Sequence, residues 1–136
     1  MMTEKYLKEI TYNVIGAAIE IHKSLGPGLL ESVYHECMKH ELSLRKIYFL
    51  TEISMPVRYK EIEVATNLRC DLFVENCLAV EIKAFKTIEP IFEAQIITYM
   101  KLLEAPQGLI INFNCVNIFS DGQKTYINDF YRFLED

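Results

Sequence analysis

Cys70-Asp71-Leu72-Phe73-Val74-Glu75-Asn76-Cys77-Leu78-Ala79-Val80-Glu81-Ile82-Lys83 is the stretch whose reading decides the fold. Residues 71–74 and 78–84 are rich in large apolar and β-branched side chains, and Glu75-Asn76 between them suits a tight turn, so the pattern predicts an antiparallel hairpin. Side chains two apart on a strand share a face. Glu81 and Lys83 therefore project together, while Val80 and Ile82 point into a core on the other side. If the hairpin closes in the right register, Asp71 adds a second carboxylate beside them. Two carboxylates with water are what a hard Mg²⁺ ion asks for, and an ammonium beside them can orient a nucleophile or offset charge on a phosphorane. Alone, a Glu-x-Lys pair on a strand is commonplace.

Upstream, Ile53, Met55, Val57 and Tyr59 alternate with Glu52, Ser54 and Arg58, which predicts one half-buried strand from Leu50, followed by another at residues 62–64. Further back, Tyr6, Ile10, Val14, Ala17 and Ile21 recur at helical spacing and predict an amphipathic helix over residues 4–24. Gly26-Pro27-Gly28 breaks it, and Leu30, Val33, Tyr34, Cys37, Met38 and Leu42 mark a second helix. Downstream, Pro90 opens a third helix to about Leu103, with Phe92, Gln95, Tyr99 and Leu102 on one face. Residues 108–113 read as an interior strand, 116–119 and 125–127 as strands flanking an Asp121-Gly122 turn, and the tail from Asp129 as a short helix. The resulting order, roughly ααβββαβββ, is α/β: a mixed β-sheet flanked by helices, with a right-handed crossover through the third helix. A chain of 136 residues has room for one core, so 1–136 reads as a single domain.

Composition narrows the function. Apolar residues make up 51% and charged residues 24% of the chain, ordinary globular usage. Fourteen Lys+Arg against nineteen Asp+Glu give −5, which argues against gripping nucleic acid by bulk charge; any such contact must be local. No stretch approaches the roughly 18 apolar residues of a membrane span and the first residues lack an apolar leader, so the expectation is a cytoplasmic protein with no membrane contact. Cys37, Cys70, Cys77 and Cys115 show neither a CxxC pair nor zinc-ligand spacing with histidine, and read as reduced, mostly buried thiols.

Taken in order, the motifs resemble one family. Asp71, Glu81 and Lys83 match the Asp…(Asp/Glu)-x-Lys signature of the PD-(D/E)xK nuclease superfamily, and Gly28-Leu29-Leu30-Glu31-Ser32-Val33-Tyr34 matches the motif naming its GxxExxY family. Tyr59-Lys60, Asp71-Leu72-Phe73-Val74-Glu75, Gln95…Tyr99 and Gly108-Leu109-Ile110-Ile111-Asn112-Phe113 match as well, so the resemblance runs from about residue 5 to 127. Cys70 stands where the superfamily's name has proline, and Glu61 where relatives often carry glycine. The resemblance implies a restriction-endonuclease-like core, Mg²⁺ or Mn²⁺ as cofactor, Asp71 and Glu81 as metal ligands with the Ile82 backbone carbonyl as a third, and Lys83 as the catalytic lysine. It implies for Glu31 the extra acidic residue of the first core helix, completing the metal site or holding a metal-bound water. Gln95 and Tyr99 resemble the QxxxY element of RecB-type nucleases, which lines the active site and contacts phosphate. The cysteines are not clustered, so no iron–sulfur centre is implied.

Without that resemblance the same residues have plainer readings. Glu31 is a carboxylate in the first turn of a helix, Glu81 and Lys83 form a surface ion pair, and Gln95 and Tyr99 pair within a core. Tyr34 packs, its hydroxyl finding a partner at the edge of the core. His22, His35 and His40 show no ligand spacing with the carboxylates; His22, ending the first helix, could approach the site, but the plainer reading places it elsewhere. The function expected is metal-dependent phosphodiester hydrolysis on nucleic acid, DNA ahead of RNA, in a homodimer or with an accessory protein that supplies specificity. The alternative is an inactive, nuclease-derived interaction or scaffold protein, since fold alone never establishes activity.

Overall fold

The computed structural model describes residues 2–136. Thr3 opens α1 (Glu4–Leu25) by accepting the Tyr6 N–H on its hydroxyl at 3.0 Å. The helix buries Leu7, Ile10, Val14, Ala17, Ala18 and Ile21, the stripe the spacing predicts, while Tyr6 stays partly exposed. Gly26 and Gly28, at φ 69° and 103°, take the chain through backbone that L side chains rarely adopt, and α2 (Glu31–Leu44) follows. Its inward face is Tyr34, Met38 and Leu42, one position every four.

Tyr34 fixes how α2 begins. Its hydroxyl donates to the Gly26 carbonyl at 2.6 Å and accepts the Leu29 N–H at 3.1 Å, and its ring stacks on Phe113 at 4.3 Å and 7°. The tyrosine thus packs, as expected, and also ties down the glycine turn that leads into Glu31.

The strands are β1 (Phe49–Ser54), β2 (Val57–Tyr59), β3 (Ile62–Val64), β4 (Arg69–Val74) and β5 (Leu78–Lys83); then come α3 (Pro90–Leu103), β6 (Gln107–Asn112), α4 (Ile118–Asp121), β7 (Gln123–Ile127) and α5 (Asp129–Arg132). The main sheet runs β1-β4-β5-β6-β7, all neighbours antiparallel except β5 and β6, which α3 connects as a parallel crossover. This is the mixed α/β arrangement of a restriction-endonuclease-like core. The α1 and α2 side chains share one buried cluster with Leu72, Val80, Ile82, Leu109 and Ile111, and α3 shares the other with Phe73, Ala79 and Ile110. Gly108 permits close packing of α3 on β6: a Cβ there would lie 2.6 Å from the Met100 sulfur and 2.9 Å from Ile96.

Two expected strands are corrected. The alternating run from Leu50 to Tyr59 is not one strand. Met55-Pro56 interrupts it, because proline has no N–H for the ladder, and β2 leaves the sheet to form a separate ribbon with β3. Lys60 and Glu61, both at positive φ, make its turn, which explains why glycine would suit position 61. Residues 116–119 do not form a strand either. Asn117 caps a helical turn, accepting the Ser120 N–H at 3.0 Å, and β7 pairs with β6 directly.

Replacing Tyr34 by Phe keeps the stack on Phe113 and removes both hydroxyl bonds. The expected result is a loss of about 1–3 kcal/mol, read as a lower urea midpoint with unchanged slope. An unchanged midpoint would show that the glycine turn is held without the hydroxyl.

Candidate functional site

The regular β4–β5 ladder stops at Leu72 and Val80. One step further, Asp71 and Glu81 face each other, and their side chains replace the missing backbone bonds. The Asp71 Oδ2 accepts the Ile82 N–H at 2.9 Å, and the Glu81 Oε2 accepts the Asp71 N–H at 2.8 Å. Each carboxylate is thereby anchored through one oxygen to the opposite strand. On the far side of Asp71, β1 is distorted too: the β1–β4 pairing skips position 52, and Glu52 sits at φ 51° inside a strand.

Parity along β5 is as the spacing predicts. Val80 and Ile82 enter the α1–α2 cluster, Ala79 the α3 cluster, and Glu81, only 5% exposed, lies on the α3 side with Lys83 beyond it. The half-buried Lys83 places its ammonium 4.6 Å from the centroid of the Phe92 ring on α3, a cation–π contact. The Lys83 carbonyl accepts the Phe113 N–H at 2.9 Å from the β6 side. Successive carbonyls alternate in direction along a strand, so that of Ile82 faces β4, where Asp71 stands.

Charge crowding shows in the ionisation of the cluster. Burial, then the Asp71 charge, pushes the Glu81 carboxyl up to about 8, against the opposing pull of the Asp71 N–H and Lys83. Tyr99 is buried on α3 and its phenol is raised by burial and then by the Glu81 charge, which puts it within electrostatic reach of the pair. Glu31, at the start of α2, is raised by loss of water around its carboxyl; Lys83 draws it down and Asp71 pushes it up. Its residue as a whole remains exposed, at the rim.

The structure thus brings together Asp71, Glu81 and Lys83, with Tyr99 behind them and Glu31 at the edge. Gln95 is half-buried one turn before Tyr99 on the same helix face, but the groups acting on Asp71 and Glu81 are each other, Ile82 and Lys83. Among the described residues no three His, Cys, Asp or Glu side chains stand close enough to hold a metal ion together. A divalent ion would therefore be met by two carboxylate oxygens and main-chain oxygen, hard donors that suit Mg²⁺ or Mn²⁺ with water completing the shell. His22 is not at the site; its Nε2 lies 3.0 Å from the Cys115 carbonyl. The histidine that is close is His35, 3.4 Å from the Asp71 carbonyl. Sequence held a signal for it, since His35 follows Glu31 by one helical turn and shares its face.

A family model for the PD-(D/E)XK nuclease superfamily matches residues 8–125. The chain belongs to the PD-(D/E)XK nuclease superfamily. No curated protein and no solved structure gives a significant match. Members of the superfamily generally use divalent metal ions, and membership implies a nucleic-acid substrate. Among the described residues of this PD-(D/E)XK chain no helix is long and apolar enough to cross a membrane.

A carboxyl whose folded pKa is raised stabilises the fold below its unfolded pKa and loses that contribution as pH rises through the folded value. For Glu81 the window runs from 4.5 to about 8. The metal-free protein should therefore lose stability across that range, by at most about 1.4 kcal/mol per pH unit for one proton. Glu81→Gln, which resembles the protonated acid, should be more stable than wild type at pH 8 and similar at pH 5. Urea titrations at both pH values test this, and parallel curves for the two proteins would refute it.

Proposed function

We propose that this chain is a metal-dependent nuclease of the GxxExxY type, a single catalytic domain over residues 1–136 that hydrolyses phosphodiester bonds in DNA in preference to RNA. The observation that carries the reading is the reciprocal anchoring of Asp71 and Glu81 across the β4–β5 opening, with Lys83 projecting from the same strand face as Glu81. In this reading the remaining oxygens of Asp71 and Glu81 and the Ile82 carbonyl hold Mg²⁺ or Mn²⁺, and Glu31 stays at the rim as a nearby negative charge instead of a direct ligand. The bound ion supplies Lewis acidity at the phosphate.

The chain's own residues do the rest. Lys83 is a fixed cation where negative charge develops on the phosphorus oxygens, and its Phe92 contact limits its wandering. Glu81 gives up its proton when a cation arrives. Gln95 and Tyr99 form the wall against which the substrate backbone rests, donating hydrogen bonds to phosphate. A net charge of −5 supports dependence on a second copy or an accessory protein for nucleic-acid affinity.

Purified protein with Mg²⁺ or Mn²⁺ should cleave DNA at low salt, and Lys83→Ala should lower kcat about 100-fold or more while keeping the fold, because a half-buried strand lysine carries little stability. Ca²⁺ should bind without supporting turnover. By calorimetry, metal affinity should rise with pH as the proton on Glu81 is displaced, and fall sharply in Asp71→Asn. Equal rates for wild type and Lys83→Ala would expose a contaminant. Metal binding with no cleavage of DNA or RNA, alone or with cell extract, would replace the reading by that of an inactive scaffold.

A further inference from the structure

Two residues beyond Lys83 stands an aromatic side chain that this chemistry leaves unused. Phe85 is 44% exposed, yet its backbone is held at both polar atoms by one side chain. Its N–H donates to the Asn112 Oδ1 at 3.1 Å, and its carbonyl accepts from the Asn112 Nδ2 at 2.9 Å. Asn112 is 7% exposed at the end of β6, and the same Oδ1 also accepts the Asn114 N–H at 3.2 Å. A buried amide that clamps both sides of one exposed phenylalanine determines where that ring stands. Isolated apolar residues on a surface are ordinary, but this one has its backbone fixed by a buried side chain.

The ring's surroundings point towards the carboxylates. Phe85 leans on Phe92 at 4.9 Å and 37°, and Phe92 is the ring that receives the Lys83 ammonium. The exposed aromatic face is thus one ring away from the lysine. The adjacent Lys86 is exposed and enters no ion pair among the described residues. Together with Asp121 and Lys124 it lines a cleft of about 460 Å³, within the range of roughly 300–1,000 Å³ typical of small-ligand sites. Lys124 is paired to Glu93 at 2.7 Å, so Lys86 is the cation left to meet a phosphate there.

We propose that Phe85 is a stacking platform for one unpaired base of a single-stranded nucleic acid, with Lys86 holding the neighbouring phosphate in the cleft. The proposal rests on the nuclease reading of the carboxylate site and deepens it by naming the substrate class. A base inside a duplex has both faces covered by its neighbours, so only a strand with a free base face can use the ring. Stacking tolerates any base because every base has a π-face, and a lysine beside it compensates locally for the chain's acidic balance.

The test compares wild type, Phe85→Ala and Phe85→Tyr on a single-stranded oligonucleotide, on a blunt duplex, and on single strands with one abasic site moved along the sequence. Phe85→Ala should raise KM on the single strand about tenfold while kcat and the duplex KM stay within about twofold, and Phe85→Tyr should behave as wild type. An abasic site at one position should raise the wild-type KM by a similar factor and have no further effect on Phe85→Ala. A ring that merely braces Phe92 and Lys83 would instead lower kcat on both substrates, and additive abasic and Phe85→Ala effects would also overturn the proposal. If wild type cleaves nothing, the nuclease reading fails separately, and anisotropy with the same oligonucleotides in Ca²⁺ decides the stacking site. A loss of affinity in Phe85→Ala that the abasic strand does not show supports it. Equal affinities refute it and leave the ring as a contact for a protein partner.

Discussion

Where β4 and β5 cease to exchange backbone hydrogen bonds, Asp71 and Glu81 each accept an N–H from the opposite strand, at 2.9 and 2.8 Å. These two bonds stand in for the backbone pairs the ladder lacks here, so this crossed pair holds the sheet together at the point where it would otherwise fray. It also forces two acids into one place. Burial, and then the charge of Asp71 beside it, is what lifts Glu81. The residues that open the sheet are therefore the ones that close it, and no rotamer of either can change without loss of a buried backbone bond.

Everything around this pair is placed relative to it by ordinary packing. Phe113 connects two of the supports: its N–H bonds the Lys83 carbonyl and its ring stacks on Tyr34, whose hydroxyl fixes the turn before Glu31. The end of β5 and the start of α2 are thus coupled through one aromatic residue of the chain after β6. On the other face, Gly108 lets α3 lie close to the sheet, which brings Tyr99 within electrostatic reach of Glu81 and the Phe92 ring to the Lys83 ammonium. The energetic cost of the arrangement is local, borne by Glu81, by the positive φ of Glu52, and by a β1–β4 ladder with one rung missing.

Much of this was legible from the residues. Period-two alternation placed Glu81 and Lys83 on one face because a strand buried on both sides admits no other registry, and Pro90 marked the start of α3 because it needs no N–H there. Legibility failed where long-range geometry overrides local pattern. Alternation continues through Met55-Pro56, so nothing short of the missing proline N–H reveals that β2 leaves the sheet. The run at residues 116–119 has strand composition, and its helical turn follows from the Asn117 cap and the close packing of Gly122 on Cys115 and Ile118. Likewise His22 and His35 are equivalent by composition. Only the direction of α2 across the end of β4 brings the second to Asp71, and its spacing from Glu31 was the available clue.

An acidic protein that handles nucleic acid must gather its few cations where they count. With a net charge of −5, the average field repels a polyanion, and the carboxylate pair adds to that repulsion at the very place a phosphate must approach. Superfamily members generally use divalent ions, and a divalent ion at the pair would reverse the local sign. Lys83 and Lys86 lie on the same chain segment beyond the pair, the first settled on an aromatic ring, and among the described residues neither enters an ion pair. Aromatic contact confines the Lys83 ammonium without cancelling its charge, which an ion pair would do. The association of Lys83 with Phe92 rather than with another acid is therefore what keeps a positive centre beside two carboxylates in a protein with more acids than bases.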